Sequence, residues 1–455
     1  MPRPAPITRV LAGKRDLLAL AALRPDRYPG LLESVAHGTA SARHDVLAAF
    51  PQRTFRLDAD GRVRDDEGVD LGSRFLDVLD SVWIACRDDS GSRVVGLPFR
   101  GGWFLYLGYE LAAEIEPRLD LPMPTDGLPV ALAMRCPVSV IVDHLNDVTT
   151  LVAESGFEHL LDLVESDFNT APNEVPTVIV VQKVDEDVPE IFLSGVEKVH
   201  AYLRAGDVFQ VNLSRQWNVT LAEKVSPAVI HSALRRANPA PFAGLLQAPG
   251  WAISSSSPER LVQTCADVVQ TRPIAGTRPR VDGDDAAARI SELIGHPKER
   301  AEHVMLIDLE RNDLGRVCVP GSVLVDELMG IESYAHVHHI VSNVRGRLRA
   351  GTTPAEVIRA VFPGGTITGC PKVRCMEIIG ELERTSRGAY TGAFGYLDNN
   401  GDLDLNILIR TLTISGRDVR FRAGAGIVVD SEASSELAET RAKARGLLRA
   451  FGLDS

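Results

Sequence analysis

Two pairs of glutamates lie far apart in this 455-residue chain, and each pair has the spacing of one helix face. Glu299 and Glu302 form one pair, and Glu436 and Glu439 form the other. Residues three apart on a helix project from the same side, so two such helices could present carboxylate oxygens to one hard cation. Mg²⁺ suits this arrangement, because it takes one or two protein carboxylates and leaves its other positions to water and an anionic substrate. Spacing alone favours two solvated acidic helix faces instead.

Both glutamate pairs lie in segments with further helix signals. Pro297 stands where a helix can begin, and an apolar stripe is predicted through Val304, Ile307 and Leu314. A stretch rich in Asp and Ser precedes the second pair and predicts a capped helix start. Lys443 follows that pair by one turn. One helix can therefore carry metal ligands and an anion-binding cation together.

The segment RFRAGAGIVVD, just before the second pair, predicts a strand interrupted by Gly424 and Gly426. Glycines at these positions allow backbone N–H groups to approach a bound carboxylate closely. A dinucleotide-binding function is disfavoured, because the full glycine fingerprint and its strand–turn–helix context are missing.

Eight segments occur in one order along the chain: SSSSPERL, RPIAGTRPR, ERAEHVMLIDLERNDLGRV, AHVHHIVSNVRGRL, FPGGTITGCPKVRCMEIIGELE, RGAYTGAFGYL, LNILIRT and AGAGIVVDSEASSELAETRAKA. As a set they resemble the chorismate-utilising enzymes, which include anthranilate synthase component I, aminodeoxychorismate synthase component I, isochorismate synthase and salicylate synthase. Pattern reasoning alone reaches only a mixed α/β chain. The resemblance implies an α+β fold, in which a large two-layer, mainly antiparallel β-sandwich is covered by helices. The active site would lie in the cleft between the sheets.

The resemblance also implies roles for individual residues. Glu302 and Glu439 would bind Mg²⁺ directly, and Glu299 and Glu436 would orient its waters. In the predicted substrate site, Tyr390 and Arg410 would bind a substrate carboxylate, and the backbone of Gly424 and Gly426 together with Lys443 would position the dianion. Thr366 and His339 would line the ring pocket. Glu259 would act as general acid at the C4 hydroxyl.

Each predicted site residue also has an ordinary structural alternative. Tyr390 could be a core aromatic, Arg410 a surface ion pair and His339 a buried structural histidine. Their joint occurrence favours a site, because a pocket needs several convergent polar groups.

A few positions discriminate between members of the family. Asn212, the Gly364–Gly365 pair and Asn406 favour aminodeoxychorismate synthase component I, which would aminate chorismate to 4-amino-4-deoxychorismate for 4-aminobenzoate and folate synthesis. Ala275 opposes this prediction, because many such enzymes carry there a lysine that adds to the ring, whereas anthranilate synthases carry alanine. The alternative is anthranilate synthase component I, which forms anthranilate and pyruvate. An alternative of another class is a non-catalytic scaffold paralogue, disfavoured because the metal acids and anion donors are all present.

The nitrogen source points to a partner protein. No glutaminase nucleophile motif of the GxCxG type is present, and Cys370 lies in TGCPK. The resemblance therefore implies ammonia from a separate glutamine amidotransferase subunit. Near the N-terminus, Leu32, Glu33 and Ser34 lie in an LLES element that resembles a tryptophan-binding element of relatives, and they predict a tryptophan pocket.

Composition narrows the class of protein. The net charge of −12 argues against general nucleic-acid binding and against an anionic membrane surface. The six cysteines are scattered and predict no disulfide framework, which favours a reducing cytoplasm. No apolar run reaches membrane-spanning length, and KRDLLALAALRP predicts a short amphipathic surface helix rather than an export signal.

Two regions and a linker are predicted from the composition along the chain. Residues 1–165 form an N-terminal region, 166–189 an exposed linker that includes NTAPNEVPT, and 190–455 the catalytic region. The resemblance implies that the N-terminal region packs into the same body, so the linker need not separate independent domains.

Overall fold

The computed structural model describes residues 5–36, 43–87, 96–279, 297–333 and 337–453. Ten α-helices lie in these ranges. They are α1 (Leu17–Leu23), α2 (Phe75–Cys86), α3 (Ala112–Ile115), α4 (Leu160–Thr170), α5 (Pro189–Ala205), α6 (Pro227–Ala237), α7 (Pro297–Gly315), α8 (Pro354–Val361), α9 (Lys372–Glu383) and α10 (Ala433–Leu448), with 3₁₀ helices at Tyr109–Leu111, Gly365–Ile367 and Arg449–Phe451.

Strands make up most of the remaining regular structure. The first half of the chain contains β1 (Ile7–Ala12), β2 (Gly30–Glu33), β3 (His44–Ala49), β4 (Arg53–Leu57), β5 (Val63–Asp65), β6 (Asp70–Gly72), β7 (Gly102–Leu107), β8 (Ala131–Cys136), β9 (Val138–Asp143), β10 (Val148–Ala153), β11 (Val181–Glu186) and β12 (Gln210–Leu221). The second half contains β13 (Phe242–Ala248), β14 (Trp251–Ser257), β15 (Arg260–Cys265), β16 (Val268–Thr271), β17 (Ile274–Pro279), β18 (Leu324–Ser333), β19 (Val337–Arg347), β20 (Gly369–Cys370), β21 (Ala393–Asp398), β22 (Leu403–Ile407), β23 (Thr411–Ser415) and β24 (Asp418–Ile427).

These strands form two large sheets, and the described strand pairs are antiparallel. Sheet 1 has the order β1-β10-β9-β3-β2-β13-β14-β23-β24-β12-β11, and β20 also pairs with β12. Sheet 2 has the order β17-β19-β16-β15-β22-β21-β7-β8-β4-β5-β6, and β18 also pairs with β19. The predicted α+β fold with two large antiparallel sheets is confirmed.

Strands from the two ends of the chain share both sheets. In sheet 1, β2 pairs with β13, so that Leu31 lies opposite Leu245. In sheet 2, β7 pairs with β21, so that Tyr106 lies opposite Phe394. The segment 166–189 contains the end of α4 and the edge strand β11. The boundaries at 165 and 190 stay a prediction.

The sheets face each other across an apolar layer. A continuous cluster joins side chains of β3, β13 and β14 in sheet 1 with side chains of β7, β8 and β21 in sheet 2. Two glycines of sheet 1 allow this approach: a Cβ at Gly30 would lie 2.5 Å from the Phe104 ring, and one at Gly244 would lie 2.8 Å from the Phe394 ring. Burying each such aromatic side chain contributes about 2–3 kcal/mol.

Helices cover the outer faces of both sheets. Clusters of buried side chains hold α1, α4 and α6 on sheet 1, α5 and α9 on β12 and β24, and α2, α7 and α8 on sheet 2. Among the described residues, no helix combines the length and the apolar character needed to cross a bilayer. All six cysteines lie in the described ranges and are free thiols.

Three local expectations need correction. The segment predicted as an amphipathic surface helix is α1, whose residues Leu17 to Ala21 are all buried, because α1 packs between sheet 1 and neighbouring helices. No side-chain hydrogen bond caps α10, which follows Glu432 directly. On α7, Val304 is exposed, whereas Ile307 and Leu314 are buried as predicted.

Candidate active site

Glu259 lies in the connection between β14 and β15, where the chain crosses from sheet 1 to sheet 2. Burial raises the pKa of its carboxyl to about 8, and the nearby charge of Glu310 acts in the same direction. The Thr366 hydroxyl, the Ile274 N–H and the Arg410 guanidinium all lower this pKa, so three separate segments face the carboxyl. At neutral pH the group keeps its proton, as a general acid requires.

Thr366 lies in the 3₁₀ helix Gly365–Ile367, which packs against α7. A Cβ at Gly365 would collide with Leu309 of α7, so glycine is needed for this close packing. The Thr366 Oγ1 atom is buried and makes no hydrogen bond of normal geometry with the described residues, although it is close enough to lower the pKa of Glu259. A ligand bound beside Glu259 can therefore use this hydroxyl.

Arg410 follows β22 and has a φ of 51°, a left-handed conformation that is uncommon for a residue with a side chain. Its carbonyl accepts a hydrogen bond from the Ser256 N–H at 3.1 Å, which ties it to sheet 1. Within the described ranges, its guanidinium makes no hydrogen bond or ion pair. Burial lowers the pKa of Arg410, and the charge of Glu259 opposes this shift. A desolvated cation without a partner is costly unless an anion binds there.

Tyr390 meets β24 at Gly424. A Cβ at Gly424 would lie 2.7 Å from Tyr390 Oη and 2.8 Å from Asn212 Oδ1, so glycine makes room for both groups. Gly426 makes room for the Gln210 side chain in the same way. Burial raises the pKa of Tyr390 to about 12, so the phenol is neutral and can donate. The Asn212 Oδ1 and Gln210 Oε1 atoms are buried without a hydrogen-bond partner in the described structure.

The predicted metal ligands lie on two helices beside this cleft. Glu302 lies half-buried on α7, which packs against the 3₁₀ helix that carries Thr366. Glu436 is half-buried and Glu439 is exposed on α10, which packs on β24. The Glu299 side chain lies outside the described residues. Among those that are described, no three acidic, histidine or cysteine side chains form a metal-binding group. Carboxylates at partly open positions nevertheless have the donor chemistry that Mg²⁺ takes.

Lys443 lies where the sequence predicts an anion-binding cation. Its Nζ donates a 2.8 Å hydrogen bond to the Gly424 carbonyl and forms a 2.8 Å ion pair with Glu439, one turn earlier. The ammonium group is therefore within reach of the β24 glycines. The same contact links the predicted anion site to one predicted metal ligand.

His339 and Ala275 lie on neighbouring strands of sheet 2. His339 is buried on β19, opposite Thr277 of β17. Ala275 follows Ile274, whose N–H faces Glu259, so the backbone of residue 275 lies at the edge of the site. The role of His339 along the substrate ring stays a prediction.

The LLES residues line a separate cavity of about 630 Å³. Its wall includes Leu32, Glu33 and Ser34, whereas the residues of the Glu259 site are absent from it. Asn406 also lines this cavity and donates to the Phe242 carbonyl at 2.9 Å. The Asn406 side chain therefore lies at this cavity, although the next residue, Ile407, donates its N–H to the Glu259 carbonyl at 3.0 Å. The tryptophan-binding role stays a prediction.

Glu310 is a buried acid near the site to which the sequence analysis assigned no role. Burial, together with the charge of Asp313, raises the pKa of Glu310 to about 7. Lys372 forms a 2.5 Å ion pair with Asp313 and opposes this shift. The helical spacing in the sequence could have indicated this burial, because Glu310 and Asp313 share the α7 face on which Leu314 is buried.

Comparisons with known proteins agree with this geometry. A family model described as chorismate binding enzyme matches residues 40–449. An anthranilate synthase component I-like protein of Synechocystis sp. is 43% identical over 78% of this chain and 73% of its own length. Aminodeoxychorismate synthase component 1 of Bacillus subtilis is 51% identical over 58% of this chain and 56% of its own length. The crystal structure of anthranilate synthase component I from Streptococcus pneumoniae has a TM-score of 0.78 and 31% identity, covering 90% of this chain and 93% of that chain.

Proposed function

Because the chain belongs to the chorismate-binding enzyme family, we propose that it aminates chorismate at C4 to give 4-amino-4-deoxychorismate, the precursor of 4-aminobenzoate. The observation that carries the proposal is the buried, proton-holding Glu259 between the Thr366 hydroxyl and the Arg410 guanidinium, which has no hydrogen bond or ion pair among the described residues. The aminodeoxychorismate synthase branch is supported by Asn212 and the Gly364–Gly365 pair, and by 51% identity to the Bacillus subtilis protein.

Glu259 supplies the proton that the reaction needs. The C4–O bond breaks as the Glu259 proton moves to the departing hydroxyl, which leaves as water. The lone pair of ammonia forms the C–N bond, and the extra proton on nitrogen returns to the Glu259 carboxylate. Chorismate and ammonia thus give the amine and water, and the enzyme is regenerated.

Three groups would orient the substrate for this step. Arg410 can bind a carboxylate with two parallel hydrogen bonds, since its guanidinium has no hydrogen-bond or ion-pair partner among the described residues. The neutral Tyr390 phenol can donate a hydrogen bond to the same anion. Thr366 can accept or donate to a ring hydroxyl next to Glu259.

Magnesium would be held by Glu302 and Glu439, with Glu299 and Glu436 binding its waters. When bound, the ion would supply positive charge to a substrate carboxylate. Glu302→Ala and Glu439→Ala should each abolish turnover at limiting Mg²⁺. Glu432→Ala, on the residue just before α10, is the matched control and should keep activity. Near-normal rates in both ligand variants would reject the site.

The product identifies the family member. The purified chain is incubated with chorismate, Mg²⁺ and an ammonium salt at raised pH, with and without an added lyase that converts 4-amino-4-deoxychorismate to 4-aminobenzoate. Chromatography should detect 4-aminobenzoate only when the lyase is present. Anthranilate as the main product would contradict the proposal. Unchanged chorismate would instead support the non-catalytic scaffold.

Anthranilate synthesis is the second candidate, and Ala275 favours it. The backbone of residue 275 lies next to the segment that faces Glu259, and a methyl group cannot form the ring adduct that a lysine there would form. Ammonia would then have an easier route to C2, which leads to anthranilate after loss of pyruvate. The Synechocystis and Streptococcus pneumoniae relatives described above also carry the anthranilate synthase component I name.

We further propose that a separate glutamine amidotransferase supplies the ammonia and that both proteins work in the cytoplasm. The pure chain should use ammonium salts and should fail with glutamine alone. Glutamine-dependent turnover by a preparation free of other proteins would contradict this division of labour.

A further inference from the structure

Arg387 is a fully buried cation that lies between α9 and Tyr390, with 1% of its side chain exposed. Its three nitrogen atoms donate five hydrogen bonds. Nε donates to Glu383 at 3.0 Å, and one terminal nitrogen donates to Glu383 at 2.6 Å and to the Asn212 carbonyl at 2.7 Å. The other terminal nitrogen donates to the Ile367 carbonyl and to Thr391 Oγ1, each at 3.3 Å. A guanidinium has five N–H donors, so none is left over.

These partners belong to three different walls of the proposed chorismate site. Asn212 lies on β12, where its side chain meets Gly424. Ile367 directly follows Thr366, and Thr391 directly follows Tyr390. The guanidinium also lies over the Tyr390 ring, 5.5 Å from its centroid. One side chain therefore connects the wall that faces Glu259 with the wall that carries the Tyr390 phenol.

Glu383 holds this cation in place. Its carboxylate is 2% exposed and also accepts hydrogen bonds from the Ser214 N–H at 2.8 Å and from Arg422 at 3.0 Å. Burial acts to lower the pKa of Arg387, but the charge and hydrogen bonds of Glu383, together with the neighbouring Tyr109 and Tyr390 phenols, raise that pKa above its usual value. The guanidinium is therefore charged, and its planar fork has a fixed orientation.

We infer that Arg387 is a positioning residue, which sets the spacing between the Tyr390 phenol and the Thr366 hydroxyl across the chorismate site. Besides its pairing with Glu383, Arg387 contacts two backbone carbonyls, Thr391 and the Tyr390 ring, so it acts on the substrate through these neighbours. The inference rests on the proposed function only in taking chorismate as the ligand.

A lysine cannot replace this fork, because an ammonium group has three donors on a flexible stem and cannot reach all of the same partners. Arg387→Lys should lower kcat/KM for chorismate about 100-fold, the loss expected from a misplacement of about 1 Å. The matched control is Arg100→Lys. Arg100 is a buried arginine paired with Asp398, outside the Glu259 site, and its variant should lose thermal stability but keep wild-type kcat/KM.

A double-mutant cycle separates positioning from general support of the fold. Arg387→Lys, Tyr390→Phe and the double variant are compared by the rate of chorismate consumption, whichever product forms. If Arg387 acts through Tyr390, Arg387→Lys should cost much less in the Tyr390→Phe background than in the wild type. If the two substitutions reduce the rate of chorismate consumption by fully multiplicative factors, the inference is overturned. It is also overturned if Arg100→Lys loses as much activity as Arg387→Lys.

Thr391 provides a test that does not depend on the folding of Arg387→Lys. Thr391→Ala removes one acceptor of Arg387, and Thr391→Ser keeps the hydroxyl. The alanine variant should lose severalfold in kcat/KM, and the serine variant should retain activity. Equal activity of the two would overturn the inference. If the wild type consumes no chorismate with Mg²⁺ and ammonia, the proposed function fails and the inference fails with it. If the wild type is active but the free-energy costs of the two substitutions are additive, only the inference is rejected.

Discussion

The Glu259 site and the LLES cavity both contain buried charged groups, but they differ in how these groups are partnered. In the LLES cavity, the Glu33 carboxylate binds His231 at 2.8 Å and Arg235 at 2.9 Å. In the Glu259 site, Arg410 has no described hydrogen bond or ion pair and Thr366 Oγ1 has no hydrogen-bond partner of normal geometry in the described structure. Glu33 thus has its partners within the protein, whereas in the described structure the Arg410 guanidinium and the Thr366 hydroxyl are left to a ligand.

The pKa values show the same contrast. Burial acts to raise the pKa of Glu33, but His231 and Arg235 outweigh it and lower that pKa. At Glu259, burial dominates and the pKa rises to about 8. A buried acid with strong partners stays ionised and stabilises the fold, whereas one with weak partners keeps a proton that chemistry can use.

The largest expected effect is on Glu259. Glu259→Gln keeps the shape of the side chain but cannot donate a proton, so kcat should fall about 10²- to 10⁴-fold. Steady-state kinetics with chorismate, Mg²⁺ and ammonia measures it. Glu33→Gln is the matched control in the other region and should keep kcat. Equal losses in the two variants would remove the distinction between the regions.

Arg410→Lys should have the next largest effect. The charge is kept, but the two-point grip on a carboxylate is lost, so kcat/KM should fall about 30-fold, or about 2 kcal/mol. Arg260 already binds Asp404 at 2.8 Å at the LLES cavity, so Arg260→Lys should leave kcat/KM nearly unchanged. An unchanged kcat/KM in Arg410→Lys would assign Arg410 a structural role.

The pH dependence of kcat should follow the Glu259 proton. Because the acid form is required, kcat should fall about tenfold per pH unit above about pH 8. The measurement keeps the concentration of free ammonia constant, so that ammonia ionisation does not contribute. A kcat that stays constant through pH 9 would contradict the assignment.

The same pKa shift affects stability with a defined sign. The folded state binds the Glu259 proton more tightly than the unfolded state, whose pKa is about 4.5. The contribution of Glu259 to the free energy of unfolding should therefore decrease as pH rises from about 4.5 to about 8. Glu259→Gln should reduce this slope in denaturant melts across that range.

The smallest effect on catalysis is expected for Glu33. Glu33→Gln removes the buried carboxylate that binds His231 and Arg235, while Arg235 keeps its 2.8 Å ion pair with Asp16, so the loss of stability should be about 1–3 kcal/mol. Thermal melts should show this loss, while kcat should stay at the wild-type value. A large change in kcat without a change in melting temperature would assign the LLES cavity a direct role in turnover.

Local motifs predicted much of this site. Glu259, Thr366 and Arg410 lie in short segments whose resemblance to a family is specific, and the structure brings them together. The two-sheet fold followed from the same resemblance, because strand alternation alone does not specify which strands pair.

Long-range contacts could not be predicted in the same way. Arg387 binds the carbonyl of Asn212, which is 175 residues away in sequence, and no local pattern encodes such a partner. The position of Asn406 at the LLES cavity likewise depends on how β22 enters sheet 2. The burial of Glu310 could have been predicted, because the sequence shows that this acid lies on an apolar helix face.

Glu259 is expected to hold a proton at neutral pH, beside an Arg410 guanidinium and a Thr366 hydroxyl that have no hydrogen-bond partner of normal geometry in the described structure. Difference infrared spectroscopy between the wild type and Glu259→Gln measures this proton. A protonated carboxyl band should be present at about pH 7 in the wild type and should disappear with a midpoint at about pH 8. Carboxylate bands alone at about pH 7 would contradict this expectation.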